Sequence, residues 1–351
     1  ENFSDIEFSF EVENFQKSNR SSVLLDPNQE FSMLDDKNRC LNIYLGSVLT
    51  DNDNCMCSVY ARYWLLNKTT LPLLFKAKGS RDIAAGQSLE EMEQKRLESE
   101  ESLDKQLQKD YKEEFNPLMY SYNSSKLLFR NKTQVQIADS VWSNPISLES
   151  VGTDGSLIIQ EANGTKQFEL GVSIKLLTGR FYRTKMISFA PRYILVNNSK
   201  HELYYRQTET RTGHLLPADS HFPFHWCDVS KPLEICITRN KDYLWSSSFS
   251  INQISEFILK VPHKTPKKKI RRNSATELWH DAFLVNVEVQ LTEGSFLIVF
   301  KDEHLQEPPY RIENSTGQEI LYFQKCLNDA HEILSPYAQV PYLFDVPDVS
   351  R

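Results

Sequence analysis

Two pairs of closely spaced side chains are the first candidates for metal chemistry in this sequence. His221 and His225 have the spacing at which a helix presents two imidazoles to one zinc ion, but Pro223 lies between them and stops a helix from doing so. Cys55 and Cys57 form the second pair, and no further cysteine or histidine doublet at zinc spacing accompanies them. The sequence therefore predicts no metal site.

Motifs for catalysis are missing from the sequence as well. It contains no Gly-rich phosphate loop, no nucleophile elbow and no carboxylate pair with a histidine partner. We therefore expect a protein that is not an enzyme, that uses no cofactor or metal, and that acts by binding.

A run of basic side chains is the remaining candidate for a chemical site. Its members are Lys264, Lys267, Lys268, Lys269, Arg271 and Arg272. Each clustered cation near a bilayer contributes about 1 kcal/mol to the binding of anionic lipid. Phosphorylation of Ser274, directly beyond the run, would weaken that attraction. The competing interpretation is a solvated loop tip, because the whole chain is acidic.

Composition limits the class of protein and its partners. With 351 residues, 40% of them hydrophobic and 25% charged, the chain is globular and large enough for roughly two or three domains. Its formal net charge of −7 supplies no overall positive field for nucleic acid. Six thinly spread cysteines favour reduced thiols in a cytoplasmic protein. The alternative is a secreted, glycosylated protein, because sequons begin at Asn67, Asn131, Asn163 and Asn314.

The elements that must position these residues are predicted to be strands. Short runs rich in Val, Ile, Phe and Tyr, such as ISFAPRYILVN and FLVNVEVQLTE, are separated by turn residues. One segment differs, because residues 88–115 begin with a Ser88-x-x-Glu91 capping box and consist mainly of strong helix formers. We therefore predict an all-β fold with one helical insertion.

An internal repeat organises the chain. Its three copies are Tyr63-Trp-Leu65-Leu-Asn67, Tyr193-Ile-Leu195-Val-Asn197 and Tyr310-Arg-Ile312-Glu-Asn314. An aliphatic and then an aromatic residue recur beyond each asparagine, namely Leu73 and Phe75, Leu203 and Tyr205, and Ile320 and Tyr322. Each copy predicts a strand, a turn at the asparagine and a return strand.

Two further signatures recur, the first after all three asparagines and the second after Asn67 and Asn197. The first is Pro117-Leu-Met-Tyr120, Pro223-Phe-His-Trp226 and Pro341-Tyr-Leu-Phe344, and the second is a Trp-Ser pair that begins at Trp142 and Trp245. The interval before Pro117 exceeds its counterparts by about the length of the helical segment, and the interval after Trp245 exceeds its counterpart by about the length of the basic run. Both segments are therefore predicted to be loop insertions.

These intervals divide the chain into four parts. We predict the end of a preceding β module at 1–60, β-sandwiches at 61–190 and 191–308, and the start of a following module at 309–351. The helical insertion at 88–115 belongs to the first sandwich and the basic loop at 262–275 to the second. The tandem modules are expected to form an elongated or curved array.

The repeat also resembles a known family. The run Ile187-Ser-Phe189-Ala-Pro191-Arg192-Tyr193, the segment from Trp142 to Leu148 with Val151-Gly152 after it, and Gly171-Val-Ser-Ile174 carry the likeness. They are similar to the adaptor-binding region of the bridge-like lipid-transfer proteins of the vacuolar-protein-sorting thirteen family. In that family the region is a curved array of β-sandwich modules on which membrane adaptors dock, in fungal members through a short Pro-x-Pro motif.

The resemblance implies a non-enzymatic module that binds adaptor proteins through short Pro-containing peptides. Such binding would target a lipid-transfer bridge to organelle contact sites. The implied location is cytoplasmic and peripheral, where endosome, mitochondrion, peroxisome or Golgi meets the endoplasmic reticulum. The alternative is direct recognition of anionic lipid or phosphoinositide headgroups by the basic loop.

The repeat side chains are expected to act through the fold. Asn67, Asn197 and Asn314 should hold the turn, by tolerating left-handed backbone or by bonding main-chain groups two residues on, so they would affect adaptor binding indirectly. The recurring aromatics, Trp142 and Trp245 among them, are expected in the cores. A peptide site is expected at an exposed strand edge.

Overall fold

The structure is a computed structural model in which strands dominate. The described residues are 7–22, 28–49, 55–88, 90, 117–122, 131–137, 139–162, 164–264, 282–303, 310–325 and 332–346. They belong to two compact units, Glu1–Pro191 and Arg192–Arg351. The named elements of the described part are strands and one short 3₁₀ turn at Gly179–Phe181, which confirms the predicted all-β fold.

The first part of unit 1 contains a small antiparallel sheet. Its strands are β1 (Glu7–Phe8), β2 (Ser21–Ser22), β3 (Gln29–Leu34), β4 (Cys40–Leu49) and β5 (Cys55–Tyr60). Strands β3, β4 and β5 form the sheet in that order, and β1 pairs with β2. Burial alternates along β3, as it does in a strand with one face on a core. Phe31 and Met33 on that face join Leu41 and Ile43 in a small hydrophobic core.

The rest of unit 1 is a sandwich of two sheets. Its strands are β6 (Tyr63–Asn67), β7 (Leu73–Ala77), β8 (Leu118–Tyr120), β9 (Thr133–Ile137), β10 (Gly152–Gln160), β11 (Gln167–Leu176) and β12 (Lys185–Pro191). One sheet has the order β10-β11-β12-β6-β8, and β7 pairs with β9 in the other. Strands β12 and β6 run parallel. Leu65, Phe75, Val135 and Phe189 bring both sheets into one core.

Unit 2 repeats this arrangement with a regular second sheet. Its sandwich strands are β13 (Tyr193–Asn197), β14 (Leu203–Gln207), β15 (His214–Leu216), β16 (Ser220–Phe224), β17 (Ile235–Thr238), β18 (Ser255–Pro262), β19 (Ala282–Thr292) and β20 (Ser295–Asp302). The larger sheet has the order β16-β13-β20-β19-β18, and the smaller has the order β15-β14-β17. Trp226, Phe249 and Phe300 are buried in the core between them.

The last part of unit 2 repeats the first strands of the sandwich. Its strands are β21 (Tyr310–Glu313), β22 (Ile320–Tyr322), β23 (Glu332–Leu334) and β24 (Gln339–Tyr342), and they pair as β21-β24 and β22-β23. The aromatic that opens the repeat is far more accessible here, because Tyr310 is 40% exposed and Tyr193 is 5% exposed.

The structure corrects the predicted path at the repeat asparagine. A strand lies on each side of it, as predicted, but the second strand does not return beside the first. Strand β6 lies in the larger sheet and β7 in the smaller one, and the same holds for β13 and β14. The turn therefore carries the chain across the sandwich, so that Phe75 of β7 packs on Phe189 of β12, with 5.1 Å between the ring centroids.

Two predicted insertions fall largely outside the described residues. Of the helical segment 88–115, only Ser88 and Glu90 are described, and the basic loop 262–275 is described as far as Lys264. The division into modules at 1–60, 61–190, 191–308 and 309–351 stays a prediction.

Candidate functional site

Asn197 ties three separate segments of unit 2 together. It is fully buried at the end of β13. Its Oδ1 accepts hydrogen bonds from the backbone N–H (3.0 Å) and the hydroxyl (2.7 Å) of Ser199. Its Nδ2 donates to the carbonyl oxygens of His201 (2.9 Å), Leu216 (3.0 Å) and Pro217 (3.0 Å). One side chain thus closes the turn after β13 and anchors it to β15.

Asn314 makes the same set of contacts, and Asn67 makes the part of it that lies within the turn. Asn314 accepts from the N–H and hydroxyl of Thr316 and donates to the carbonyl oxygens of Gln318, Leu334 and Ser335. Asn67 accepts from the N–H and hydroxyl of Thr69 and donates to the carbonyl oxygen of Leu71 (2.8 Å). A role for these residues in adaptor binding stays a prediction.

This geometry bears on the glycosylation alternative. The amide nitrogen of Asn314 is the atom to which a glycan would be attached, yet in the fold it is buried and donates to three carbonyl oxygens. The folded protein cannot be modified at Asn314 without opening this turn. Asn131 is exposed, and Asn163 lies outside the described residues.

A pair of glutamines forms a second clamp that sequence reasoning missed. The amide of Gln207 accepts from the N–H groups of Cys227 (2.9 Å) and Asp228 (3.1 Å) and donates to the carbonyl oxygen of Asp228 (2.7 Å). Gln324 binds the backbone of Asp345 and Val346 in the same way. The two glutamines lie at the same number of positions beyond Asn197 and Asn314, and this shared spacing could have revealed the clamp from the sequence. The equivalent position in unit 1 is Ala77, so the glutamine does not recur in all three copies of the repeat.

We expect the substitution Gln207→Leu to destabilise the sandwich of unit 2 by about 2 kcal/mol, because it removes the buried Gln207 amide and leaves three part-buried N–H and C=O groups of residues 227 and 228 without it. Urea unfolding followed by hydrogen exchange of residues 193–226 measures the change. The matched control is Gln253→Leu, at an exposed position before β18, and it should change the free energy of unfolding by less than about 0.5 kcal/mol. Equal effects of the two substitutions would contradict the clamp.

The Trp-Ser signature has its serine inside and its tryptophan at the surface. The hydroxyl oxygen of Ser143 accepts from the N–H of Val135 (2.9 Å), and that of Ser246 accepts from the N–H of Ile237 (3.1 Å). These bonds attach residues 143 and 246 to the smaller sheets. The tryptophans beside them are half-buried, so the prediction that Trp142 and Trp245 lie in the cores is wrong.

Each of these tryptophans lies under a cation instead. Lys76 Nζ is 4.1 Å from the ring centroid of Trp142, and Arg206 Cζ is 4.2 Å from that of Trp245. The two pairs occupy equivalent positions in the two units. A residue type that recurs at a fixed position can therefore serve a surface contact as well as a core.

Strand β18 is the last strand at one edge of the larger sheet in unit 2. The carbonyl oxygen of Pro262 accepts from the N–H of Leu244, which lies off the sheet on the side away from β19 (2.7 Å). Because backbone groups alternate sides along a strand, the N–H and C=O groups of Glu256, Ile258 and Lys260 face the same way. Within the described residues β19 is the one strand paired with β18. No described backbone group pairs with these three residues on that side, so an added strand could bond to them.

The other edges of the two larger sheets are protected. Strand β10 of unit 1 has a shift of register between Gly152 and Gly155, which is a bulge. Strand β8 has three residues, and β16 contains Pro223. Bulges, short strands and prolines are the usual ways of preventing pairing at an edge. Strand β18 runs for eight residues with proline at its last position.

The side chains along this edge are mixed in character. Lys260 forms an ion pair with Asp345 (2.7 Å), and Glu256 accepts from Asn286 Nδ2 (3.3 Å). Ile258 lies between them, half-buried, and Ile254 just before the strand is 72% exposed. The edge therefore offers apolar contact flanked by both signs of charge.

The basic run is described at its first residue alone. Lys264 is exposed, and its N–H donates to the carbonyl oxygen of Asp242 (2.8 Å). Lys267, Lys268, Lys269, Arg271, Arg272 and Ser274 lie outside the described residues. Their binding of anionic lipid stays a prediction.

The described residues contain no cluster of three or more metal-ligating side chains. His221 lies in β16, a strand rather than a helix. Burial raises the pKa of the Cys236 thiol above its ordinary value, which keeps it protonated at neutral pH despite the nearby Arg206 guanidinium. No helix in the described part of the chain has the length and apolar composition needed to span a membrane.

Comparison with known proteins shows the family. The family described as "Vacuolar-sorting associated protein 13, adaptor binding domain" matches residues 1–350. The chain therefore belongs to this family, as the resemblance of the repeat predicted.

Curated relatives agree with this assignment. The chain is 24% identical over 307 residues to the intermembrane lipid transfer protein VPS13 of Chaetomium thermophilum, a match that covers 83% of the chain and 8% of that protein. It is 25% identical over 371 residues to the intermembrane lipid transfer protein VPS13D of Homo sapiens, covering 98% of the chain and 8% of that protein. The chain thus spans about 8% of the length of these relatives, which are named as intermembrane lipid transfer proteins.

Proposed function

We propose that this chain is a module that binds adaptor proteins and thereby targets an intermembrane lipid transfer protein to organelle contact sites. The family description and the names of the relatives support the two halves of this proposal. The module works at the cytoplasmic face of the organelle as a peripheral component. Lipid transfer itself would be carried out by other parts of the longer protein.

The adaptor contributes an extended, Pro-containing segment that adds to the edge of β18. The observation that carries this step is the row of outward-facing N–H and C=O groups at Glu256, Ile258 and Lys260. An added strand would pair with these groups, and the ladder of hydrogen bonds would supply affinity without reading side chains. Choice among peptides would come from contacts with Ile254 and Ile258.

Prolines in the segment are compatible with strand addition. Alternate residues of an added strand point their backbone groups away from β18, so a proline at those positions loses no bond to the module. Two prolines separated by one residue fall on the same side. A Pro-x-Pro segment can thus pair with β18 through the residues that alternate with its prolines. The fixed φ of the prolines also lowers the entropic cost of ordering the peptide.

We expect Ile258→Pro to weaken peptide binding by about tenfold or more, because it removes an outward donor at the centre of the edge. Fluorescence anisotropy with a panel of labelled Pro-x-Pro peptides measures the affinity. The matched control is Ser156→Pro, at the corresponding outward position of β10 in unit 1, where the edge is already bulged. Ser156→Pro should leave the affinity unchanged.

Two outcomes would contradict this site. Equal weakening by both substitutions would show that the β18 edge is not the specific acceptor. Absence of binding to every peptide, together with binding to anionic vesicles that is lost when Lys267, Lys268 and Lys269 are changed to Gln, would favour direct lipid recognition by the basic loop instead.

A further inference from the structure

The outer face of the smaller sheet in unit 2 carries a second surface with the chemistry of a binding site. Burial alternates along β14, with Leu203 and Tyr205 in the core. Tyr204 and Arg206 therefore point outward. Leu215 of β15 lies directly opposite Tyr204 on the same face and is 39% exposed. Trp245 adjoins Arg206. We call these four side chains the Trp245 face.

The guanidinium of Arg206 is held in place by two contacts. It stacks on the Trp245 ring at 4.2 Å, and its Nε donates to Cys236 Sγ at 3.4 Å. Gly213 packs closely against the Trp245 ring, since a Cβ added at Gly213 would lie 3.0 Å from it. Within the described part of the chain, no carboxylate lies at ion-pair distance from Arg206. A fixed guanidinium with free Nη groups is suited to bidentate recognition of a carboxylate.

The charges around this face favour an acidic partner. Arg211 is exposed in the turn between β14 and β15. His214 adds no charge to this face, because it pairs with Tyr205 and packs on that ring (5.5 Å between centroids), and burial lowers its pKa. Two acidic side chains near these strands are engaged elsewhere, since Glu209 pairs with Lys231 (3.7 Å) and Glu234 accepts from the Ser248 hydroxyl (2.5 Å). The Arg206 guanidinium of the Trp245 face is therefore not neutralised by either of these two acids.

The spacing of the side chains defines the form of the partner. Tyr204 and Arg206 are alternate residues of one strand, so their side chains project about 6.6 Å apart. An extended peptide lying along β14 presents its own alternate side chains at that interval. The face therefore fits an aliphatic residue on Tyr204 and Leu215 and an acidic residue two positions away on Arg206.

We propose that the Trp245 face docks an extended acidic segment of a partner protein, with a carboxylate on Arg206 and an aliphatic side chain on Tyr204 and Leu215. This surface belongs to the smaller sheet, whereas β18 belongs to the larger one. Binding here needs no free strand edge and no proline. The inference consequently stands or falls independently of strand addition to β18.

The test is a titration of the whole chain with a twelve-residue peptide containing two Leu-x-Glu units and no proline, followed by the indole N–H resonance of Trp245 in NMR spectra. A saturable shift of that resonance is expected, with an affinity about tenfold higher than for the Leu-x-Gln counterpart. Arg206→Glu should remove this preference and give binding to a Leu-x-Lys peptide instead.

Two further variants guard the result against misfolding and nonspecific charge. Leu215→Asp keeps Arg206 and alters an exposed position, and it should weaken binding of the Glu peptide about tenfold. Lys76→Glu is the matched control. Lys76 lies over Trp142 in unit 1 as Arg206 lies over Trp245, but Leu74, which corresponds to Tyr204, is buried. Lys76→Glu should change nothing. An unshifted Trp245 resonance, equal affinity for the Glu and Gln peptides, or an equal response to phosphatidylserine vesicles would overturn the proposal.

Discussion

Replacing Asn197 by serine is expected to lower the free energy of unfolding of the unit 2 sandwich by about 3 kcal/mol. Serine is too short to reach the carbonyl oxygens of His201, Leu216 and Pro217, which the asparagine amide binds at 2.9 to 3.0 Å. Because Asn197 is fully buried, water does not replace the lost donor at the same geometry. The turn after β13 would then separate from β15, and the smaller sheet would lose its attachment at that corner.

Hydrogen exchange over a urea series measures this effect locally. Residues 193–226 should lose protection at lower urea in the variant, whereas residues 63–75 of unit 1 should be unchanged. Asn198→Ser is the matched control, because the Asn198 side chain is exposed one residue further along. A destabilisation by Asn197→Ser no larger than that by Asn198→Ser would contradict the clamp.

The substitution Asp35→Asn is expected to destabilise unit 1 by about 3 kcal/mol, because it removes one partner of a buried ion pair. The Asp35 carboxylate and the Arg39 guanidinium lie 2.7 Å apart, with side-chain exposures of 2% and 9%. The same carboxylate accepts from the N–H groups of Lys37, Arg39 and Gly86. It thereby joins the β3–β4 turn to the segment that follows β7.

The pH dependence of this effect has a definite sign. Burial by itself would raise the pKa of the Asp35 carboxyl, but the hydrogen bonds from Arg39 and Gly86 and the Arg39 charge outweigh it, so the pKa lies below its ordinary value of 3.8. A carboxyl with a lowered pKa in the folded state contributes stability above its unfolded pKa and loses it as the pH falls through the folded pKa.

The difference between wild type and Asp35→Asn should therefore be full at neutral pH and shrink as the pH falls below 3.8. Urea unfolding of both proteins over this pH range, with exposed Asp36→Asn as control, measures it. A difference that stays constant with pH would mean that the charge of Asp35 is not what stabilises the turn.

The repeat could be found from the sequence because its marks are local. Strand, asparagine and hydroxyl residue stand within a few positions of one another, so Asn67, Asn197 and Asn314 emerge when the chain is compared with itself. Their longest contacts could not be found this way. The bonds from Asn197 to residues 216 and 217 join positions that no short pattern links.

Sheet order was equally out of reach. The pairing of β6 with β12 joins the two ends of a long stretch of chain, and local alternation of apolar residues carries no information on such a partner. Recurrence also misled for Trp142 and Trp245, since cation–aromatic contacts at the surface repeat as faithfully as core contacts. The free edge of β18 followed from pairing in the structure, and not from its composition.

Amide hydrogen exchange along β18 tests the adaptor-binding account most directly. With a bound Pro-x-Pro peptide, the outward-facing N–H groups of Glu256, Ile258 and Lys260 should become protected by about tenfold or more, because an added strand accepts their hydrogen bonds. Those of Phe257 and Leu259, which face β19, should change little. A peptide that binds without protecting the outward-facing groups would contradict strand addition at this edge.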